Sequence, residues 1–579
     1  MRKKTKIICT IGPASESPAV LKKLVKGGAN VFRLNFSHGD HAEHAKRIQD
    51  IRALREEMDC PIGIMLDTKG PEIRIKTFEK TPVELVEGNL FTLTTRDVVG
   101  TEEIVSITYD GLPADVAPGT VILIDDGLVA MEVVEIKDGT DIVCKVKNGG
   151  QLSNRKGVNV PGVDVKLPSV TEKDIDDILF GIEQGIDFIA ASFIRKAQDV
   201  LEIRQLLQEN GGDGIQIISK IECHQAIVNI EEIAKASDAV MVARGDLGVE
   251  VPLQQVPIFQ KEIIQLCKSI GRPVITATQM LDSMIRNPRP TRAEVNDVAS
   301  SVYDGCDAVM LSGETAAGKY PVEALTTMSS ICQHVENHAR ILPSSTMEKS
   351  EYNITDAVSH ACCECAKDVN AKAIVTSTSS GYTAKMIAKF RPECRIIATT
   401  PNKSVYHKLS LTWGVLPVLS KQSTSTDEML VDAVNTAKQT GLVHDGDVVV
   451  ISAGVPLGVS GTTNLLKVSM VGDVLVRGKG IGNGTVRGHV CVAKSPEDCK
   501  EMTSRSILVV KETDDRYLPY MKLARAIVCE DANISGHTAA FAVQQGKPAI
   551  IGAMGITELL KTDESVSLDI NRGRVFKRS

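Results

Sequence analysis

No apolar run in the sequence approaches the ~18 residues of a membrane span; Phe188 to Ile194 is a typical hydrophobic stretch. Nor is there an excess of basic charge. With 66 Lys and Arg against 73 Asp and Glu, the net charge is −7. That argues against nucleic acid or an anionic membrane as the main partner, since both call for a basic face. The opening Met-Arg-Lys-Lys-Thr-Lys runs straight into Ile7-Ile8-Cys9, with no secretory h-region and no small-residue cleavage site, so a cytoplasmic location is expected. Short-period repeats and low-complexity tracts are absent. The 14 cysteines are scattered through a long chain, which reads as reduced thiols rather than a disulfide framework. One cluster, His360, Cys362, Cys363 and Cys365, contains a C-x-x-C but no second pair at zinc spacing. Its helical pattern (Ala357, Ala361, Cys365) points to buried thiols.

What is present is ordinary globular composition, 43% hydrophobic and 24% charged over 579 residues. At ~150 residues per domain this predicts about four domains. The chain up to residue 70, and again from 168 to 344, alternates short apolar runs with amphipathic stretches. The runs are Ile7–Ile11, Val31–Leu34, Ile62–Leu66, Phe188–Ala191, Ile215–Ile218, Ala239–Val242, Val274–Ala277 and Ala308–Leu311. Runs of this kind fit parallel strands buried on both faces. One intervening stretch opens with a capping-box pattern, Ser169-Val-Thr-Glu172, carries Ile175, Ile178, Leu179 and Ile182 at helical spacing, and stops at Gly185. Eight strands alternating with helices predict an α/β fold, a (β/α)8 TIM barrel over residues 1–70 and 168–344. Residues 71–167 are strand-rich, with turn signals at Asp110-Gly111, Asp126-Gly127, Asp138-Gly139 and Gly149-Gly150, and predict a small β domain inserted after the third barrel strand. Residues 345–472 return to α/β alternation as a separate domain, and 473–579 open Gly-rich and form a fourth unit.

The chemistry of such a barrel belongs where its strands end, and those ends are polar. In chain order they carry Arg33, Asn35, Ser37 and His38; Asp67, Thr68 and Lys69; Ser192 and Arg195; Lys220 and Glu222; Arg244, Gly245 and Asp246; Thr276, Thr278 and Gln279; and Ser312 and Glu314. Glu222 and Asp246 fall on adjacent strand ends. Two carboxylates with few other protein ligands suit Mg²⁺ or Mn²⁺, which keep waters and take substrate oxygens. Lys220 lies two residues before Glu222, so both point the same way if the strand continues. A lysine beside a divalent ion suits a phosphoryl group or an enolate; the plainer alternative is an ion-pair cluster stabilising the rim. Asn35, Ser37, Asp67 and Thr68 gather oxygens with too little charge for a divalent ion, leaving a monovalent-cation site or turn hydrogen bonding.

Three patterns mislead. Gly313-Glu-Thr-Ala-Ala-Gly-Lys319 has Walker A spacing but ends in Tyr320, which puts the Mg²⁺-binding hydroxyl on a large ring. Glycines 478, 480, 482 and 484 do not fit a dinucleotide fingerprint. His38, His41 and His44 recur every three residues, and the last two are expected to be solvated on a helix. At Thr376-Ser-Thr-Ser-Ser-Gly-Tyr-Thr383 a strand enters a hydroxyl-rich turn before a helix over Ala384–Phe390, a phosphate-binding arrangement or an elaborate N-cap.

These residues carry a resemblance. Ile215-Gln-Ile-Ile-Ser-Lys-Ile-Glu222 resembles the active-site signature of the pyruvate kinase family, and Arg33-Leu-Asn-Phe-Ser37, Leu66–Arg74, Met241–Asp246, Ala277-Thr-Gln-Met280 and Leu311–Thr315 resemble its other blocks, in order, up to about residue 472. The resemblance implies a barrel with a small inserted β-barrel lid and a C-terminal α/β regulatory domain. It implies phosphoryl transfer from phosphoenolpyruvate to ADP, giving pyruvate and ATP, in a homotetramer. Lys220 would stabilise the phosphoryl group, Glu222 and Asp246 would hold Mg²⁺, and Arg33 would contact phosphate. Asn35, Ser37, Asp67 and Thr68 would bind K⁺, in keeping with Glu72, which accompanies K⁺ dependence in the family. Thr278 would belong to proton delivery, Ala243, Arg244, Gly245 and Asp246 to the substrate loop, and Arg74, Lys156, Asn35 and His38 to the nucleotide side. Thr378, Ser379, Ser380 and Thr383 resemble an effector-phosphate loop, with Tyr382 in place of a smaller hydroxyl residue. The last ~105 residues resemble the phosphohistidine domain of phosphoenolpyruvate-utilising enzymes, through Ser535-Gly-His537-Thr-Ala-Ala and Gly546-Lys-Pro548. His537 takes the place of the phosphorylated histidine, but Ser535-Gly536 replaces the usual Thr-Ser, and Val543 or Gln544 replaces the expected Arg. A structural or regulatory role is expected for this domain. Competing readings are phosphotransfer through His537, a Mg²⁺-dependent carbon–carbon lyase, and a non-catalytic sensor.

Overall fold

The computed structural model describes residues 3–338, 353–456, 461–472 and 474–577. The expected domain boundary at 344/345 lies outside these residues, and so does residue 473, where the fourth unit was expected to begin. The chain divides into two compact units, one comprising 1–351, 384–391 and 402–417, the other 352–383, 392–401 and 418–579.

In the first unit eight parallel strands close a barrel, each hydrogen-bonded to its neighbours in sequence: β1 (Lys6–Thr10), β2 (Val31–Asn35), β3 (Gly63–Asp67), β4 (Phe188–Ala191), β5 (Gln216–Ile221), β6 (Ala239–Ala243), β7 (Val274–Ala277) and β8 (Ala308–Leu311). All eight lie at or within a few residues of the apolar runs. The runs are nearly unbroken because both faces are buried: Ile8, Val31, Met65, Ala190, Ile218 and Met241 fill the interior, while Ile7, Phe32, Ile64, Ile189, Ile217 and Val240 pack against the helical layer. Leu411, on the segment that follows Asn402, joins the interior cluster.

The helix Glu172–Glu183 is capped two residues later than expected. Thr171, not Ser169, forms the box, exchanging bonds with Asp174. The Ser169 hydroxyl instead bonds Glu202. Both registers satisfy the sequence pattern, and the deciding partner, Glu202, lies on another helix.

The inserted segment is a seven-stranded, mostly antiparallel sheet with its own core of Ile75, Phe91, Leu93, Val105, Ile122, Met131 and Ile142. Asp126-Gly127 and Asp138-Gly139 turn hairpins, with all four residues at positive φ. Asp110-Gly111 instead leads into a short helix, Leu112–Asp115. The insertion leaves the barrel after β3 and returns just before the helix that precedes β4. Its two ends are tied where the Gly70 amide donates to Asp174 Oδ1 at 3.0 Å. Arg195 grips the return through the carbonyls of Val165 (2.9 Å) and Leu167 (2.6 Å).

The second unit holds two sheets. One has the strands Arg395–Thr400, Ala373–Ser377, Val448–Ala453 and Leu465–Met470, in that order. The other has eight strands and is built by residues 474–577, with a parallel centre of Thr485–Ala493, Ser506–Val510, Ala526–Cys529 and Ala549–Ile551. Among the described residues, no helix is long and apolar enough to cross a membrane.

Candidate active site

Period two along the strands decides which side chains meet. Val31, Met65, Ala190 and Ile218 point into the barrel, so the residues two positions on, Arg33, Asp67, Ser192 and Lys220, point inward one layer higher, at the carboxyl ends. There they form a continuous charge chain. Arg33 Nε donates to Asp67 Oδ2 at 2.5 Å and its Nη1 to Thr10 Oγ1 at 3.0 Å. Lys220 Nζ lies 3.2 Å from Asp67 Oδ1 and 2.8 Å from Glu222 Oε1, and donates to Ser192 Oγ at 2.7 Å. Glu222 Oε2 accepts the Phe193 amide at 2.6 Å.

The electrostatics are polarised. Burial favours a protonated Asp67, but Arg33 and Lys220 outweigh it and hold the carboxyl below its usual range. Burial works against a charged Lys220, yet Asp67 and then Glu222 keep its ammonium above the usual lysine range. Glu222 is pushed up to about 7, mainly by burial, with Lys220 opposing and Asp246 adding to the rise. A buried carboxylate whose cost of ionisation a neighbouring carboxylate raises is relieved by a divalent ion. Glu222 and Asp246, from the neighbouring ends of β5 and β6, therefore fit Mg²⁺ or Mn²⁺.

The proposed K⁺ set is only partly gathered. Asp67 is buried, with its carboxyl held below the usual range, and the Thr68 side chain is buried. Asn35 Oδ1 accepts the Ser37 amide at 3.2 Å, while Ser37 itself is exposed. The Thr68 hydroxyl bonds the Ala190 carbonyl (3.4 Å) and accepts the Ser192 amide (3.1 Å).

Thr278 and Gln279, after β7, and Phe193, after β4, all have positive φ, between 54° and 65°. Strained non-glycine backbone of this kind clusters at functional sites. Thr278 Oγ1 accepts the Gly245 amide at 2.8 Å, tying the end of β7 to the helix Arg244–Glu250 that carries Asp246. The Arg244 side chain is spent on this geometry: it bonds Asp297 (2.6 Å) and the carbonyls of Ala277 (3.1 Å) and Thr278 (2.7 Å). Glu314 is likewise structural, accepting the amides of Leu281 and Ser312.

Between lid and barrel opens a cavity of about 580 Å³ lined by Glu72, Arg74, Lys156, Asn159, Phe193, Asp246 and Glu250, among others. Arg74 is paired with Glu72 at 2.6 Å and Lys156 with Asp125 at 2.9 Å. Asn35 and His38, expected on the same nucleotide side, do not line it. One contact that sequence reasoning missed crosses this cleft: lid Asn159 Nδ2 donates to Glu250 Oε1 at 2.9 Å. No local signal could reveal it, because the partners are 91 residues apart.

His44 corrects an expectation. It is 2% exposed rather than solvated, stacked on Phe36 at 3.9 Å, with Nε2 on the His38 carbonyl at 2.9 Å. Burial lowers its pKa. His41 is half-buried and bonds Asp177 at 2.8 Å. The Cys362 and Cys363 side chains are buried and Cys365 half-buried, all as thiols. Among the described residues, the one grouping of at least three His, Cys, Asp or Glu close enough to share an ion is His41, Asp176 and Asp177, where Lys173 already pairs with Asp177 at 2.6 Å.

In the second unit the 376–383 turn lines a cavity of about 100 Å³ with Lys421 and Asp432. Its helix begins at Tyr382, two residues earlier than expected. Thr378 Oγ1 accepts the Gly381 amide at 2.9 Å, and the Thr383 and Thr463 hydroxyls bond at 3.0 Å, while Ser379 and Ser380 are exposed. His537 opens the helix His537–Gln545, with Gly536 as N-cap. Its Nδ1 bonds Thr513 Oγ1 at 2.8 Å, an orienting partner that the residues next to His537 do not supply. Its Nε2 lies 3.3 Å from Asp515 Oδ1, and Arg516 is paired with Asp514.

A buried ammonium between carboxylates, at the carboxyl ends of barrel strands and beneath an inserted lid, defines a barrel enzyme built to stabilise negative charge in transfer. Comparison with known proteins places it among its relatives. The family described as pyruvate kinase, barrel domain, matches residues 2–325; pyruvate kinase, alpha/beta domain, matches 356–469; and PEP-utilising enzyme, mobile domain, matches 502–573. The chain is 51% identical to a pyruvate kinase of Bacillus licheniformis over 99% of each chain. It is 50% identical to one of Geobacillus stearothermophilus over 100% of this chain and 99% of that one. A crystal structure of a pyruvate kinase from Cryptosporidium parvum superposes with a TM-score of 0.77 at 41% identity, covering 81% of this chain and 96% of that one. The chain belongs to the pyruvate kinase family and is a phosphotransferase acting between phosphoenolpyruvate and pyruvate.

Proposed function

We propose that the barrel site transfers the phosphoryl group of phosphoenolpyruvate to ADP with Mg²⁺ (or Mn²⁺) and K⁺, and that a phosphorylated metabolite activates it through the 378–383 turn. The observation that carries this reading is the buried chain Arg33–Asp67–Lys220–Glu222, which alternates in sign and ends at a carboxylate held near neutrality. A divalent ion on Glu222 and Asp246 would supply Lewis-acid neutralisation of the phosphoryl oxygens. Lys220 then faces the charge that develops in transfer, and Arg33 holds the phosphate on the β2 side. Asp67 fixes both cations by bonding each. Thr278 holds the Gly245 amide and stands where a proton can be delivered to the enolate of pyruvate. Asp67, Asn35, Ser37 and Thr68 offer a mixed oxygen set for K⁺ once Ser37 closes in. The lid excludes water by closing the cleft that Arg74 and Lys156 line. In the second unit, Ser379, Ser380 and Lys421 offer hydroxyls and one cation to a single phosphate, a set that suits a sugar or nucleoside monophosphate. Family resemblance supports a homotetramer, and the free cysteines suit the cytoplasm.

Phosphotransfer through His537 is the weaker reading, because the group beside its Nε2 is the Asp515 carboxylate, which repels phosphate. A coupled assay of pyruvate formation with purified protein, phosphoenolpyruvate, ADP, Mg²⁺ and K⁺, with each component omitted in turn, tests the proposal. Turnover that needs no divalent ion, or none with ADP as acceptor, would sink it.

A further inference from the structure

The helix Glu172–Glu183 buries a carboxylate that the transfer chemistry does not use. Asp177 is 1% exposed. Its Oδ1 lies 2.8 Å from His41 Nε2, on the helix His41–Met58, and its Oδ2 accepts from Lys173 Nζ at 2.6 Å. Burying a carboxylate is costly unless such partners replace its hydration. What this arrangement holds in place is the Lys173 ammonium, which also donates to the Phe36 carbonyl at 3.0 Å.

Phe36 lies between Asn35 and Ser37, in the loop after β2. It is 1% exposed and held at three points: its amide donates to the Asp67 carbonyl at 3.0 Å, its ring stacks on His44 at 3.9 Å, and its carbonyl takes Lys173. On the far side of Ser37, the His38 amide donates to the Asn35 carbonyl at 3.3 Å, and the His38 carbonyl meets His44 Nε2 at 2.9 Å. Ser37 is therefore an exposed side chain on backbone pinned at both flanks. The next residue of the same helix turn, Asp174, takes the Gly70 amide at 3.0 Å, in the loop after β3. Asn35 and Ser37 belong to the first of these segments, Asp67 and Thr68 to the second. One turn of helix thus grips both segments that carry the oxygens proposed for K⁺.

We propose that Lys173, seated by Asp177, is a positioning residue for the monovalent-cation site, an inference that rests on reading Asn35, Ser37, Asp67 and Thr68 as the K⁺ set. It acts through the Phe36 carbonyl, fixing the backbone from which Asn35 and Ser37 present their oxygens, and does not itself touch the ion. With both flanks fixed, Ser37 reaches the ion by turning its side chain alone, so little ordering is left to accompany binding. The sign of the effect separates this role from a through-space one. A lysine charge near a cation is repulsive, so on charge alone the loss of Lys173 would tighten K⁺ binding. Loss of positioning weakens it.

The test uses the full-length protein with Mg²⁺ and phosphoenolpyruvate. Tm is followed without ADP as tetramethylammonium is replaced by K⁺ at constant ionic strength, and kcat is followed over the same series in the coupled assay. In Lys173→Met the K⁺ concentration giving half the Tm rise is expected to increase roughly 3- to 10-fold, the worth of one hydrogen bond from a half-exposed ammonium. At saturating K⁺ kcat should be close to that of the parent, because the ion, once bound, meets the same oxygens. Lys173→Met strands Asp177, so Lys173→Met with Asp177→Asn is made alongside; it removes ammonium and carboxylate together and should show the same displaced midpoint. A uniform loss of Tm in both salts with an unmoved K⁺ midpoint would make Lys173 merely structural and overturn the proposal. A midpoint shifted to lower K⁺ would overturn it in favour of bare charge. A parent whose Tm and rate both ignore K⁺ would remove the cation reading itself, and this role with it.

Discussion

Replacing Lys220 by methionine keeps the length of the side chain and removes one charge. In the folded protein that charge lies 2.8 Å from Glu222 and 3.2 Å from Asp67. At an effective dielectric of about 20, each contact is worth about 5–6 kcal/mol before desolvation is counted. Two effects follow. The cation that meets the developing charge is gone, and loss of a single such donor costs roughly 10²–10³ in kcat. In addition, Glu222, already pushed up to about 7 by burial with Lys220 restraining it, rises further once the ammonium is removed. A protonated Glu222 binds metal poorly, so apparent Mg²⁺ affinity near neutral pH should fall and should recover as pH is raised. Both effects are measurable in one coupled assay of pyruvate formation, run over a Mg²⁺ series at several pH values, with circular dichroism to confirm folding. Phosphoenolpyruvate binding, followed by ligand-induced change in Tm, should persist because Arg33 remains. A folded variant with kcat within ~10-fold of the parent at saturating Mg²⁺ would refute the assigned role. A metal affinity that is unchanged with pH would refute the electrostatic coupling.

Asn159→Ala, which removes the bond from the lid to Glu250, should raise the KM for nucleotide several-fold with a smaller change in kcat. Glu250→Gln alone, which keeps an acceptor for Asn159, should leave that KM much closer to the parent value; a pure kcat loss in Asn159→Ala would count against a lid contact. His407 is held down to about 3 by burial, with Arg55, Lys403 and Lys408 adding, so it stays neutral when folded and takes a proton below ~6.5 when unfolded. Its contribution to stability is therefore complete above pH 6.5 and is lost as pH falls toward 3. His407→Phe should flatten the acid limb of a Tm–pH curve, and parallel limbs would show the reasoning wrong. Changing Ser380 and Thr383 together to Ala should abolish activation by a sugar or nucleoside monophosphate while the full rate is still reached at high phosphoenolpyruvate; loss of the maximal rate would point to damaged folding instead. His537→Ala should retain substantial transfer to ADP, an expectation overturned by acid-labile phosphohistidine at His537 in the parent together with lost turnover in the variant.

The legible part of this protein is the part governed by short periods. Once strands are placed, Lys220 and Glu222 share a face because they are two apart, and the same rule brings Arg33, Asp67 and Ser192 to their layer. The eight runs were visible because a strand buried on both faces tolerates few polar residues. What could not be read depends on partners far along the chain. A histidine every third residue is compatible with a wet or a dry helix face, and only the stacking of His44 on Phe36 decides it. Ser169 was expected to cap its helix, but its hydroxyl is taken by Glu202, 33 residues on. Thr513 orients His537 from 24 residues away. The domain boundary expected at 344/345, from the return of α/β alternation, lies outside the described residues.

The tie between Gly70 and Asp174 gives the lid a particular architectural status. Its way out and its way back leave the barrel side by side, so the hundred-odd residues between them occupy one strand-to-helix loop that has grown until it carries its own core. To the barrel, that insertion costs no more closure than a short loop. Its strands share no ladder with β1–β8, and its hydrophobic cluster is its own. Change therefore has two independent addresses in the catalytic unit. Substitutions within the insertion can reshape the cleft beneath it, while the Arg33–Asp67–Lys220–Glu222 chain stays fixed by strand register. An exchange of whole lids between relatives, cut at Gly70 and Thr171, is the natural unit of variation that this topology offers.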